Sequence, residues 1–229
     1  MLSLKILLRA LRAGELKTIF ISLCLSVAVV AAVSIFAERI EKAIVNESKE
    51  LLGSDFIVKS SKPIPQVWIE YAVNRNVDVS RTLSFASVVF FNENMHLAYI
   101  KAVESNYPLR GSILTSQLPF TYDVKQMEEF TSGPKVGEIW VESRLLPILD
   151  VEIGSQIDIG ESSLTITKIL IEEPEGPSFS ILGSRILMNF ADVESTNVVQ
   201  PGSRVTHNLL VASSKESDIN SYVSWVTAV

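Results

Sequence analysis

From Thr18 to Ala37 the chain runs TIFISLCLSVAVVAAVSIFA, twenty residues without a charge. Twenty helical residues rise about 30 Å, the hydrocarbon thickness of a bilayer. The charge around this run is uneven. Residues 1–17 hold Lys5, Arg9, Arg12 and Lys17 against Glu15, whereas the remainder holds 16 basic and 25 acidic residues. Glu38, Arg39, Glu41, Lys42, Glu47, Lys49 and Glu50 carry no positive excess after the run. The positive-inside rule therefore puts the N-terminus in the cytoplasm and residues 38–229 on the far side. A cleaved signal peptide ending at Ala37 is the competing reading. Signal h-regions run about 7–15 residues, and Ile35 fits a small-residue cleavage site poorly, so a retained membrane helix is preferred.

Before the run, Lys5, Arg9 and Arg12 form one helical stripe, with Leu4, Ile6, Leu7, Leu8 and Leu11 around the rest. That pattern suits a cytoplasmic interfacial segment over residues 1–14, with Gly14 allowing a bend; setting topology alone is the other reading. Past the run, Ile40, Ile44 and Leu51 keep helical spacing, and Gly53 supplies a stop. Residues 15–53 are thus read as a transmembrane helix and stalk, the part from Glu38 to Leu52 rising about 22 Å. Such a stalk can transmit movement or serve as a passive tether. Cys24, Ala28 and Ala32 form a small-residue row suited to packing on other membrane helices, and Ser22 and Ser26 form another.

Residues 54–229 read as an external α+β domain, with subdomains near 54–111 and 135–212. Asp55–Ser60 is a strand, and Pro63 and Pro65 open a helix over Gln66–Val73. Val77–Phe91 and His96–Val103 form a hairpin turning at Asn92-Glu-Asn94. Tyr107-Pro-Leu-Arg-Gly111 is a turn, and Ser112–Pro134 reads as a crossover loop. Glu138–Val141 is a strand, Ser143–Leu149 a helix broken at Pro147, and Gly154–Gly160 and Leu164–Ile171 alternate as strands. Glu172-Glu-Pro-Glu-Gly-Pro177 breaks the pattern. Arg185–Asn189 and Asn208–Val211 are strands, and a last helix starts near Ser217, which offers cap chemistry.

The chain has no G-x-S-x-G elbow and no G-x-x-x-x-G-K-[ST] phosphate loop, so it is neither an α/β-hydrolase by motif nor itself a P-loop ATPase. His96 and His207 have no neighbouring ligand set, and the single Cys24 lies in the membrane run, so no catalytic, cofactor-binding or metal residues are assigned. The cluster Glu172, Glu173 and Glu175 is read as a solvated loop in preference to a cation or acid–base site. Asn46-Glu-Ser48 is a formal glycosylation acceptor set in the stalk. Trp68, Trp140 and Trp225 read as core residues. An acidic body excludes nucleic acid as a partner.

Pro63-Ile-Pro-Gln-Val-Trp-Ile69, Leu83-Ser-Phe-Ala86, Lys101-Ala-Val103, Tyr107-Pro-Leu-Arg-Gly111 and Gln200-Pro-Gly-Ser-Arg-Val205 together resemble the N-terminal part of YbbP-type ABC transporter permeases. These belong to the broad group that includes FtsX, MacB, LolC and LolE. The resemblance implies a bacterial inner-membrane permease subunit, not an enzyme and without cofactors, carrying a MacB-like periplasmic core on its first membrane helix. It also implies a cytoplasmic YbbA-like ABC ATPase dimer, mechanotransmission from that ATPase to the periplasmic domain, and a periplasmic esterase or thioesterase as partner. Membrane lipid is its surroundings, and hydrophobic or lipid-linked compounds are its implied cargo. A complete permease of this type continues beyond Val229 with more membrane helices and a second periplasmic domain, so the chain reads as a fragment or a truncated frame. The alternative is a single-pass anchored periplasmic binding or scaffold protein without an ATPase. An anchored hydrolase using the serines and carboxylates of the second subdomain is a third, weaker reading, since no nucleophile–base arrangement is visible.

Overall fold

The structure, a computed structural model, describes residues 15–121, 123–175 and 183–228. The interfacial segment expected over 1–14 lies outside them, as do Gly176 and Pro177 of the acidic loop. The chain divides into two units, residues 1–47 and 48–229. Helix α1 covers Glu15–Leu52 and contains the whole uncharged run. It is long and apolar enough to cross a membrane, and Ile19, Phe20, Val30 and Phe36 are exposed on its surface. Within the run the Ser26 hydroxyl donates to the Ser22 carbonyl at 2.8 Å, which satisfies a polar group that lipid cannot. Beyond the run Lys42 pairs with Glu38 one turn earlier at 2.6 Å.

Among its described residues the second unit holds ten strands: β1 (Phe56–Ser60), β2 (Asp78–Phe91), β3 (Asn94–Val103), β4 (Ile113–Ser116), β5 (Met127–Phe130), β6 (Glu138–Glu142), β7 (Gln156–Ile159), β8 (Ser162–Glu172), β9 (Ser184–Asn189) and β10 (Val205–Ala212). The order β1-β10-β2-β3-β9-β6-β8-β4-β5 has β7 paired to both β2 and β8. Those last two pairings close a ring, β2-β3-β9-β6-β8-β7. The architecture is therefore α+β, a small barrel with two sheet wings and helices packed on it. β2 and β8 are long enough to serve both barrel and wing. One edge of β2 pairs with β10 from Asp78 to Phe85 and with β7 at Val89 and Phe90.

The barrel encloses Leu83, Phe85, Val89, Ala98, Ile100, Ala102, Ile139, Val141, Ile157, Ile159, Ile166, Ile186 and Met188. These occupy alternate positions, as the period of two demands. Opposite Ile139 and Trp140, β8 carries the extra residue Thr167 as a bulge. The bulge shifts the parity, so that Ile166 and Ile169 both face inward. The outward positions Val103, Trp140, Leu170, Leu187 and Leu210 form a second cluster with Tyr107 and Ile113. A third cluster lies where α2 (Gln66–Val73) and α5 (Glu216–Val226) cover β1 and β10 around Leu209, Val211 and Tyr222.

Three local expectations are corrected. Residues 112–134 contain β4 and β5, and β4 extends the sheet from β8. Each strand has four residues, too few for alternation to register. Pro147 does not break α3 (Leu145–Leu149), because it occupies the first turn, where no intrahelical amide donor is needed. Helix α5 begins at Glu216 with Lys215 before it, and Ser217 is not its cap. The Ser213 hydroxyl accepts from the Lys215 amide there, at 3.3 Å. A short helix, α4 (Val193–Thr196), also went unforeseen.

Candidate functional site

Every α-helix ends with carbonyls that lack partners, and the end of α1 is where the second unit meets this demand. Gly53, at φ +66°, closes the helix with a Schellman motif. Its amide donates to the Glu50 carbonyl at 3.1 Å and the Ser54 amide to the Lys49 carbonyl at 3.2 Å. The Gly53 carbonyl then accepts from the amides of Leu109 and Arg110, both at 2.9 Å. Gly111 lies so close that an added Cβ would sit 3.0 Å from the Glu50 carbonyl oxygen. Residues 48–55 thus form a root held by the turn that follows β3.

Asp55 ties this root to the segments that follow β10 and β3. Its carboxylate accepts from the Ser213 amide at 2.9 Å and from Arg110 Nη2 at 2.9 Å, and it pairs with Lys49 Nζ at 3.2 Å. The Asp55 side chain is only 4% exposed. Burial alone would raise its pKa, but the Ser213 amide, Arg110 and Lys49 outweigh it and hold the carboxyl below the usual range. Arg110 also donates to the Ser213 carbonyl at 2.8 Å, closing the network.

A second set of charges sits beside it. Lys101, on the outward face of β3, donates to the Tyr107 hydroxyl at 2.7 Å and the Pro174 carbonyl at 3.1 Å. The Tyr107 hydroxyl donates to the same carbonyl at 2.8 Å. Lys101 Nζ lies 2.9 Å from Glu175 and 3.5 Å from Glu173, with all three side chains about 7–8% exposed. Arg185 adds a longer contact of 3.8 Å to Glu173. Burial opposes the charge on Lys101, yet the Tyr107 oxygen and the two carboxylates prevail and raise its pKa. Burial pushes the Tyr107 phenol up. This corrects the reading of Glu172, Glu173 and Glu175 as one solvated loop: only Glu172 is exposed, at the end of β8. The Glu175 amide donates to the Leu51 carbonyl at 2.6 Å, and an added Cβ on Gly53 would meet Pro174 Cβ at 2.8 Å. The acidic segment is therefore packed on the helix root.

The outward face of the β2–β3 hairpin is different in kind. Its register pairs Ala86 with Tyr99, Val88 with Leu97 and Phe90 with Met95. Val88, Phe90, Met95 and Leu97 are exposed, an apolar strip about 7 Å long at 3.4 Å per residue. The strip leads into a groove of about 290 Å³ lined by Phe85, Ala86, Leu97, Tyr99 and Thr206, with the Arg204 side chain at its wall.

The residues considered for chemistry do not assemble. No group of three or more metal-ligating side chains occurs among the described residues. His96 Nε2 lies 3.3 Å from the Ser184 hydroxyl, but Ser184 is 1% exposed and out of reach of a substrate. His207 pairs across β10 with Leu83 and Ser60, and burial lowers its pKa. Cys24 is a free thiol on α1, and Asn46 falls within the same helix. Trp140 is buried; Trp68 and Trp225 are half-buried, with Trp225 stacked on Tyr71 at 3.7 Å. Sequence reasoning passed over Lys101, Asp55 and Arg110 as functional groups, although Lys101 stands out as the one charge in the run Ala98–Val103.

No family model matches the sequence. Over 219 residues the chain is 32% identical to the uncharacterized ABC transporter permease YbbP of Escherichia coli (strain K12), a match covering 95% of this chain and 26% of that protein. The chain thus spans about a quarter of the length of the curated relative it matches. The resemblance read from the sequence to YbbP-type permeases is borne out by this similarity. Two solved structures are similar at 13% identity each. One is the extracellular domain of the noncanonic ABC-type transporter YknZ from Gram-positive bacteria, with TM-score 0.47, covering 71% of this chain and 79% of that one. The other is the periplasmic region of MacB from Actinobacillus actinomycetemcomitans, with TM-score 0.46, covering 80% of this chain and 88% of that one.

Proposed function

We infer that this chain, similar to an ABC transporter permease over 95% of its length, is the N-terminal part of such a permease subunit in a bacterial inner membrane. Its N-terminus is cytoplasmic and its sheet domain periplasmic, in keeping with the basic residues before the uncharged run. A cytoplasmic ABC ATPase of the YbbA-like type drives the subunit, and α1 passes the movement to the sheet domain through the root. The observation that carries this reading is the root itself. Its carbonyls at Leu51 and Gly53 accept backbone hydrogen bonds from two separate segments, Glu175 and Leu109–Arg110, and Asp55 binds the end of β10. A passive tether has no need of so many directional contacts.

Hydrophobic or lipid-linked compounds are the cargo that the hairpin strip and the groove support. The groove offers an apolar wall for an acyl chain and Arg204 for an anionic head, at the small end of ligand-site volumes. A periplasmic esterase or thioesterase acting on such compounds completes the proposed system.

The test is a pull-down of the intact protein from solubilised membranes with and without ATP. Co-purification of an ABC ATPase in nucleotide-dependent amounts supports the permease reading. Its absence from well-folded, full-length protein refutes the reading and leaves the anchored binding or scaffold protein in its place.

A further inference from the structure

The two grips on the helix root are built differently, and the difference has a consequence. Around Asp55 the carboxylate is matched by an amide, a guanidinium and an ammonium at hydrogen-bonding distances. Around Lys101 the charges do not balance so well. One ammonium serves two buried carboxylates, and the Arg185 contact to Glu173 is long at 3.8 Å. Both Glu175 carboxylate oxygens, Glu173 Oε2 and Arg185 Nε are buried without a hydrogen-bond partner among the described residues. The Glu175 carboxylate lies near the ammonium but off hydrogen-bonding geometry. Glu175 also holds a left-handed backbone, at φ +66°, to bring its amide onto the Leu51 carbonyl. Pro174 is buried and lies against Gly53. Beyond the covalent link of Glu173 to β8 and the long Arg185 contact, residues 173–175 are held to the barrel by the Lys101 ammonium and the Tyr107 hydroxyl, which meet at the Pro174 carbonyl.

A half-satisfied buried network is costly to keep and loses little on opening to water, whereas a satisfied one is rigid. We propose that residues 173–175 are a releasable latch on the root of α1, pinned to β3 by Lys101 and separable from the permanent grip made by Asp55. Lys101 is a positioning residue in this device: it reaches the root through Pro174 and Glu175, and its other partner, the Tyr107 hydroxyl, belongs to the turn whose Leu109 and Arg110 amides hold Gly53. While the latch is shut, the Leu51 carbonyl is occupied and Pro174 lies against Gly53. When it opens, Leu51 gives up its partner while Gly53 keeps both of its own. The latch sets how firmly the sheet domain holds the helix end, and it stands whether or not the permease reading does.

The test is amide hydrogen exchange on the 229-residue chain in detergent micelles, read at Glu175 and, as a reference, at Ile139 and Ile186 in the barrel. Lys101→Met should speed exchange at Glu175 at least tenfold and leave the barrel amides within twofold. Lys101→Met combined with Glu175→Gln should bring the Glu175 amide back toward the wild-type rate, because the surplus buried charge goes with the lysine. Unchanged exchange at Glu175 in Lys101→Met would overturn the proposal. So would equal acceleration in the barrel, which would make Lys101 a general support of the fold. A double variant no slower than the single would show that charge is not what pins the segment.

Discussion

Asp55→Asn isolates the contribution of the permanent grip. The substitution keeps the shape of the side chain and removes its charge. One amide oxygen then faces donors that two carboxylate oxygens now serve: the Ser213 amide and Arg110 Nη2, both at 2.9 Å, and Lys49 at 3.2 Å. Breaking a buried ion pair from one side costs about 3–5 kcal/mol. Arg110 and Lys49 are about a third exposed, at 34% and 36%, so water can take over part of their charge. The expected loss is therefore below that range, about 2–3 kcal/mol at pH 7. For a domain of this size that lowers the melting temperature by about 5–10 °C. The assay is thermal unfolding of both proteins in the same detergent, followed by circular dichroism from pH 7 to pH 3. The sign of the pH effect follows from the depressed pKa of Asp55 in the folded state. Its stabilisation is fully present above the unfolded value of about 3.9 and is lost as pH falls through the folded value. The gap between wild type and Asp55→Asn should therefore narrow below about pH 4. A gap under about 0.5 kcal/mol at pH 7, or one that stays constant down to pH 3, would refute the account of Asp55 as the charged tie of the root.

Two further predictions concern the barrel. Gly160 turns between β7 and β8 at φ +60°, and an added Cβ would collide with the Thr196 carbonyl oxygen and Val198. Gly160→Ala should cost about 2–5 kcal/mol, measurable by urea titration, because it combines left-handed strain with overpacking against backbone. Ile100, fully buried in the barrel, should lose about 2–5 kcal/mol on truncation to Ala, whereas exposed Val67→Ala should stay within about 0.5 kcal/mol in the same titration.

What could be read from the sequence follows the range of the physics behind it. Helix α2 was anticipated with its observed bounds, Gln66–Val73, because two prolines mark its start and a short apolar periodicity its body. The hairpin of β2 and β3 was equally plain from β-branched runs around Asn92. These signals are local. The closure of the barrel was not, because it rests on β7 meeting β2 through Val89 and Phe90 alone, some seventy residues away. Nor did local reasoning reach the acidic segment. Next to Pro174, Glu173 and Glu175 carry every mark of a solvated turn. Only the fold brings Lys101 and Tyr107 to them and makes burial tolerable. A charged strand residue with apolar neighbours in both directions was the available sign, but the identity of its partner was not.

The chemistry of a helix end explains why the root is gripped by polar groups. The last carbonyls of a helix carry partial negative charge and need donors, and cations are favoured beside them. Leu51 and Gly53 take donors from the backbone, and Lys49 and Arg110 supply the cations. Bringing two cations to a partly buried site calls for an anion, and Asp55 is that anion. An apolar contact at the same place would be non-directional, so a helix end pressed against it could slide or rotate at little cost. Hydrogen bonds to Leu51 and Gly53 cannot follow such a slide, since they weaken steeply off their axis. Displacement of the root must therefore be shared by the segments that hold it, Leu109–Arg110 and Glu175, or break the bonds that join them. The first segment is backed by the satisfied Asp55 network and the second by the under-satisfied Lys101 cluster, so strain at the root is relieved first at Glu175.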